Sequence, residues 1–244
     1  MHEQAEEALS LMTHSETFHA GVNQLRSLPR ESVIVELVHA LRAHPAYQSR
    51  EGAHRYQAYQ LLIELSAQDH PVGRDQLIRG LFDQSETDLR SICADALATA
   101  APDREIASAL DSAIDQAIHD QEDYFLSTIL RALGKHGVQA ASSLDRIKSL
   151  FNNPDFPTRD VRAAAAYAML GIDGIQSSIE NFKRARPGGD EGAVFGLLIF
   201  CREVDTIEQC VGDASALSKI HGYLTEVIHD GKSRDAREWP CKGD

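Results

Sequence analysis

The sequence predicts an all-α fold: a right-handed α-α superhelix (α-solenoid) of about five to six helix pairs with atypical terminal helices. Three observations predict this fold. Apolar residues recur at the three-and-four spacing of helices, and no segment shows the strict alternation of an amphipathic strand. Apolar helical segments at 86–98, 123–134 and 157–171 follow one another at one interval. Their faces are rich in alanine, which lets neighbouring helices approach closely in a stack.

The composition is typical of a soluble globular protein, with 43% apolar and 25% charged residues in 244. A net charge of −13 argues against binding to a phosphate backbone, so nucleic acid is not an expected partner. The acidic N-terminus lacks the features of a signal peptide, and no apolar run is long enough to span a membrane. Four cysteines without a CxxC motif fit a reducing compartment. We therefore expect a cytoplasmic protein with no membrane contact.

The first helices differ from those that follow. Segments 3–13 and 16–28 are amphipathic, and Pro29 closes the second. Neither resembles the later segments, and terminal units of solenoids are usually atypical because one side faces water. Residues 1–30 are therefore predicted to be N-terminal capping helices of a single domain that spans 1–230.

The repeat region is predicted over residues 31–204. Ser32 is the expected cap of its first helix, and Pro71 with Gly73 is expected to break the chain before another. The predicted pairs are 33–44 with 53–66, 74–82 with 86–98, 104–118 with 123–134, 138–151 with 157–171, and 173–184 with 192–204. Residues 205–230, with a helix from Ser215 to His229, are predicted as C-terminal capping helices, and 231–244 as a flexible tail.

The best-defined helix is 157–171. Pro157 cannot continue a preceding helix, Thr158 is the expected N-cap, and Asp160 places negative charge in the first turn. Gly171 is the expected C-cap.

The repeat period is 36 residues. It separates Leu89, Phe125 and Val161, and it also separates Ala96, Ala132 and Ala168. A helix pair with its turns takes about that length. One pair cannot bury both of its faces, so each must pack on the next.

An Asp–Arg pattern accompanies the repeat. Asp83 precedes Leu89-Arg90, and Asp155 precedes Val161-Arg162, each with seven residues from Asp to Arg, ahead of alanine-rich faces. This pattern resembles the HEAT-repeat superfamily (HEAT-like, ARM-type) over roughly residues 31–204. The resemblance implies that Asp83, Arg90, Asp155 and Arg162 bond within and across repeats as a structural ladder.

The resemblance also implies that the second helices line a concave surface. Positions off the apolar face at the period give Asp95, Arg131 and Tyr167, with Tyr59 one step earlier. Tyr and Arg are favoured at binding hot spots, so these four residues are the predicted partner-binding strip. Alternatively, Asp95 and Arg131 form only an exposed ion pair worth ~0.2–1 kcal/mol.

Catalytic and metal-binding motifs are not found. The eleven histidines include no HxxxH or HExxH, and GxSxG and P-loop motifs are also missing. Seven acids lie between 103 and 123, with Asp111 and Asp115 four apart, and are predicted to form a solvated face that could attract a basic partner. No catalytic residue, cofactor or metal is therefore expected.

The function predicted is that of a non-catalytic protein-interaction scaffold or adaptor, which binds another protein on its concave surface. Two alternatives remain. One is a HEAT-like enzyme, similar to a bilin lyase or a DNA glycosylase. The other is a regulatory subunit of a larger assembly, suggested by the apolar run 194–201, for which burial against neighbouring helices is the favoured interpretation.

Overall fold

The computed structural model describes residues 2–14, 16–48, 53–65, 71–84, 87–153, 158–185, 190–203 and 214–229. Within these ranges the regular structure is helical and no strand occurs, so the all-α prediction is confirmed. No helix in the described ranges is both long and apolar enough to cross a membrane. The tail predicted at 231–244 lies outside the described residues.

The chain divides into two compact units, Met1–Ala101 and Pro102–Asp244. The prediction of one continuous domain over 1–230 stays a prediction. The first unit contains α1 (His2–Met12), α2 (Phe18–Ser27), α3 (Arg30–Ala43), α4 (Pro45–Gln48), α5 (Ala53–Leu65), α6 (Pro71–Gly80) and α7 (Thr87–Ala98).

In the first unit, α3 is the central helix. It packs against α1, α5 and α6, and buries Val33, Ile34 and Leu37 completely. Two predicted boundaries are wrong. Helix α3 begins at Arg30, so Ser32 lies inside it and does not cap it. Helix α6 begins at Pro71, because proline fits the first turn of a helix, where its missing N–H costs no bond.

The second unit contains the repeat segments that carry the candidate site. In its described residues the helices are α8 (Arg104–His119), α9 (Asp123–His136), α10 (Leu144–Asn152), α11 (Arg159–Ala185), α12 (Glu191–Glu203) and α13 (Ala214–His229). The Asp103 carboxylate caps α8 by accepting from the N–H groups of Glu105 and Ile106 at 2.8 and 2.9 Å. The helix predicted at 138–151 instead consists of a 3₁₀ segment, Gly137–Ser143, followed by α10.

Helix α11 is the centre of the second unit. It packs against α9, α10, α12 and α13, and residues 163–170 are all buried. The predicted C-cap at Gly171 is wrong. The helical run continues past Gly171 and is broken at Gly174, which has a φ of 82° and a ψ of 167°. The two helices predicted at 157–171 and 173–184 are therefore present as two helical segments of α11, which meet at Gly174 and not at Gly171.

Gly171 serves packing instead of capping. A Cβ at Gly171 would overlap the carbonyl oxygen of Gly134 on α9, and a Cβ at Gly134 would lie 2.8 Å from Tyr167 Cδ1. In both helices the break comes three residues later, at Gly137 (φ 54°) and at Gly174. The first glycine of each pair therefore lets α9 and α11 meet, and the second ends or kinks the helix.

The contact of α11 with α12 is equally close. A Cβ at Gly196 would lie 2.8 Å from the Ala166 Cβ and would overlap the Ala163 carbonyl oxygen. The expectation that small residues allow close helix approach is confirmed for these pairs. In the apolar run of α12, Val194, Leu197 and Phe200 are buried against α11, whereas Phe195, Leu198, Ile199 and Cys201 are half-buried, so the favoured interpretation of that run holds for one face of the helix.

Candidate functional site

A groove with a volume of about 610 Å³ opens between α9, α11 and α12. We call it the α11 groove. Glycines line part of it, so main chain is close to its surface, and charged side chains come from α9 and α12. Its lining residues are Gly134, Lys135, Gly137, Tyr167, Gly171, Phe200, Arg202 and Glu203.

Three donors from α9 and α11 converge on the carboxylate of Glu203. Arg131 Nη2 donates to Oε1 at 2.6 Å, and the Tyr167 hydroxyl donates to Oε2 at 3.1 Å. Lys135 Nζ lies 3.4 Å from Oε2. Arg131 and Lys135 are four apart on α9, so both side chains leave the same face of that helix. The cluster thereby joins α9 and α12 across α11.

The charges around Glu203 control its protonation. Burial alone would raise the pKa of Glu203, but Lys135 and Arg131, with hydrogen bonds from Tyr167 and Arg131, lower it below its ordinary value. Burial raises the pKa of Tyr167, and the negative charge of Glu203 adds to this effect. The phenol therefore stays protonated at neutral pH and acts as a hydrogen-bond donor.

The four residues of the predicted partner-binding strip differ in exposure and in location. Arg131 is accessible, with 44% of its side chain exposed. Tyr167 was expected off the apolar face, but it is only 4% exposed because its ring packs edge-on against Phe200 at 5.6 Å. Asp95 lies on α7 and Tyr59 on α5, both in the first unit, and the side chain of Tyr59 lies outside the described residues. The structure thus brings together Arg131 and Tyr167.

Glu203 is the residue that the sequence reasoning missed. The signal was present, because 131, 167 and 203 are separated by 36 residues in turn. Extending the period by one more step would have named it. The 36-residue period does not mark Lys135 or Arg202. Lys135 lies four residues after Arg131 on α9, and Arg202 lies next to Glu203 on α12.

Two residues of the expected Asp–Arg ladder, Asp83 and Arg162, form ion pairs with residues outside the ladder. Asp83 pairs with Arg42 Nε at 3.0 Å, and Arg162 Nε lies 3.4 Å from the buried Asp190. Arg90 is 2% exposed. Asp155 lies outside the described residues, so the ladder as a whole stays a prediction.

The acidic stripe of α8 is partly a structural contact. Arg146 of α10 binds Asp115 and also donates from Nη1 to the Asp111 carbonyl oxygen at 3.1 Å. The Asp115 side chain is still 81% exposed, as expected of a solvated face. Within the described ranges, no group of three or more His, Cys, Asp or Glu residues is placed to hold a metal ion.

No family model, curated protein sequence or solved structure matches this chain.

Proposed function

We propose that this protein is a HEAT-like helical-repeat scaffold without catalytic activity, and that it binds another protein at the α11 groove. The observation that carries the proposal is the convergence of Arg131, Tyr167 and Glu203, three positions spaced by one repeat, at the edge of an open groove.

Contacts between equivalent positions support the repeat interpretation. Tyr167 bonds to a residue 36 positions later, and Arg131 to one 72 positions later. Such bonds require that α9, α11 and α12 lie side by side in chain order, as second helices do in a layered stack. The glycine and alanine contacts draw these three helices close together, and a curved stack needs that on its inner side.

The chemistry of the groove supports binding more than catalysis. Tyr167 and Phe200 line the groove and are buried, Lys135 and Arg202 line it and are exposed, and Arg131 bonds to Glu203 beside them. Buried aromatics beside arginine are typical of interaction hot spots. The bonds to Glu203 hold Arg131 and Tyr167 in place before a partner arrives, which reduces the conformational entropy lost on binding.

A cytoplasmic location is part of the proposal. Cys93 is a buried free thiol, which fits a reducing compartment.

The test is partner capture with matched variants. Wild-type protein, Arg131→Glu and Tyr167→Ala are immobilised, and proteins retained from the source lysate are identified by mass spectrometry. Arg104→Glu, an exposed charge reversal on α8, is the control. We expect a partner that the wild type and the control retain and that both groove variants lose. A partner retained equally by all four proteins would refute the site.

A further inference from the structure

We propose that the α11 groove recognises an acidic segment of its partner, with Arg202, Lys135 and Arg131 as the carboxylate-binding residues. This inference rests on the proposed function and adds the chemistry of the partner to it.

The first argument is local charge. The groove lining includes two cations, Lys135 and Arg202, and one carboxylate, Glu203, and the guanidinium of Arg131 is bonded to that carboxylate. The whole chain has a net charge of −13, so this site has the opposite sign to the protein that carries it. A concave site with an excess of one sign of charge attracts ligands of the other sign.

The second argument is accessibility. Arg202 is exposed, and within the described part of the chain it forms no ion pair. The side chains of Arg131 and Lys135 are 44% and 38% exposed, although both contact Glu203. An arginine has five N–H donors and a lysine three, so each retains donors for a second carboxylate.

The third argument is the shape of the groove. Gly137 and Gly171 line it and are half-buried, so their main-chain atoms are accessible from the groove. An extended acidic segment could therefore lie over the glycines while its carboxylates reach the rim. Glu203 competes with such carboxylates for Arg131 and Lys135, which makes it a negative determinant of affinity.

The binding test uses a fluorescein-labelled oligoglutamate of about ten residues, with oligoglutamine, oligolysine and oligothymidylate of equal length as comparison probes. Fluorescence anisotropy is measured with the full chain at low and at physiological salt. We expect oligoglutamate to bind best, and its binding to weaken with salt. Arg202→Gln and Lys135→Gln should each weaken it by about threefold to tenfold. Glu203→Gln should tighten it by about threefold.

The control variant is Arg184→Gln, which removes an exposed cation of the same unit outside the groove and should leave affinity unchanged. Amide resonances of Gly137 and Gly171 should shift when oligoglutamate is added to ¹⁵N-labelled protein, while that of Gly222 on α13 should not.

Three results would overturn the inference: equal binding of oligoglutamate to wild type and groove variants, a preference for oligolysine, or tighter binding of oligothymidylate. The proposed function is tested separately. If oligoglutamate fails to bind but Arg131→Glu still loses its captured protein, the charge assignment is wrong and the groove remains the binding site.

Discussion

Glu203 links three helices because its carboxylate accepts from Arg131 and Tyr167 and lies beside Lys135. Its side chain is 27% exposed, so solvent screens these interactions only in part. Each contact alone is a modest contribution to stability, but together they keep the carboxylate charged. The residue therefore affects both the stability of the unit and the charge of the groove.

Glu203→Gln should lower the free energy of unfolding by about 0.5–1 kcal/mol at neutral pH. The pKa of Glu203 is lower in the folded than in the unfolded protein, so its contribution is complete above the unfolded pKa. The contribution disappears as the pH falls through the folded pKa. Urea denaturation of both proteins at neutral and at acidic pH should show a smaller difference at the acidic pH. An equal difference at both pH values would contradict the assigned ionisation.

Asp190 has a structural role of the same kind. Its carboxylate accepts from the Ala193 N–H at 3.0 Å, capping α12, and lies 3.4 Å from Arg162 Nε of α11. Asp190→Ala should lower the free energy of unfolding by about 2–4 kcal/mol, because it removes the cap and leaves a largely buried guanidinium without this carboxylate. Asp190→Asn keeps a capping oxygen and should lose less. Equal losses in chemical denaturation would show that the charge, not the cap, dominates.

At the scale of elements, the spacing of α9, α11 and α12 depends on glycine and alanine. Gly134 of α9 packs against Gly171 of α11, and Gly196 of α12 packs against Ala163 and Ala166 of α11. Interiors are close-packed, so one added methyl group at these points must displace a neighbouring backbone. This spacing also sets whether the side chains of Arg131 and Lys135 can reach Glu203 across α11.

Gly171→Ala should destabilise the protein by about 1–3 kcal/mol, even though alanine favours helix, because the new Cβ would overlap the Gly134 carbonyl oxygen. Gly222→Ala is the matched control. It also lies within a helix, but no atom lies within 4 Å of an added Cβ there. That variant should gain about 0.5–1 kcal/mol. Thermal or urea denaturation separates the two cases, and a gain for both variants would refute the packing role.

The sequence predicted the helices well because apolar spacing reports directly which face is buried. It misassigned Gly171, since glycine can either end a helix or admit a neighbour, and only the position of α9 distinguishes these roles. It named Arg131 and Tyr167 from the period, but could not show that the ring of Tyr167 is covered by Phe200. The partner of Arg162 could not be predicted either, because no spacing pattern in the sequence links it to Asp190.

At the scale of the whole molecule, the bonds to Glu203 that define the α11 groove join residues of the second unit. The lining residues belong to α9, the 3₁₀ segment, α11 and α12, and α13 supports α11 through Phe182 and Tyr223, whose ring centroids are 6.0 Å apart. The buried side chains of α8, including Ile106, Leu110 and Ile114, complete the core beneath α9. The site should therefore depend on this unit alone.

A fragment of residues 102–244 should fold without the first unit and keep the groove, because it contains the core and all contacts of Glu203 described above. We expect a helical circular dichroism spectrum and a cooperative urea transition. A fragment of residues 120–244, which lacks α8, is the control and should lose cooperativity, since it exposes the apolar face on which α9 packs. In the first fragment, Glu203→Gln should again lower the free energy of unfolding by about 0.5–1 kcal/mol. An unfolded 102–244 fragment would mean that the first unit is required for stability, as a single cooperative stack of repeats would predict.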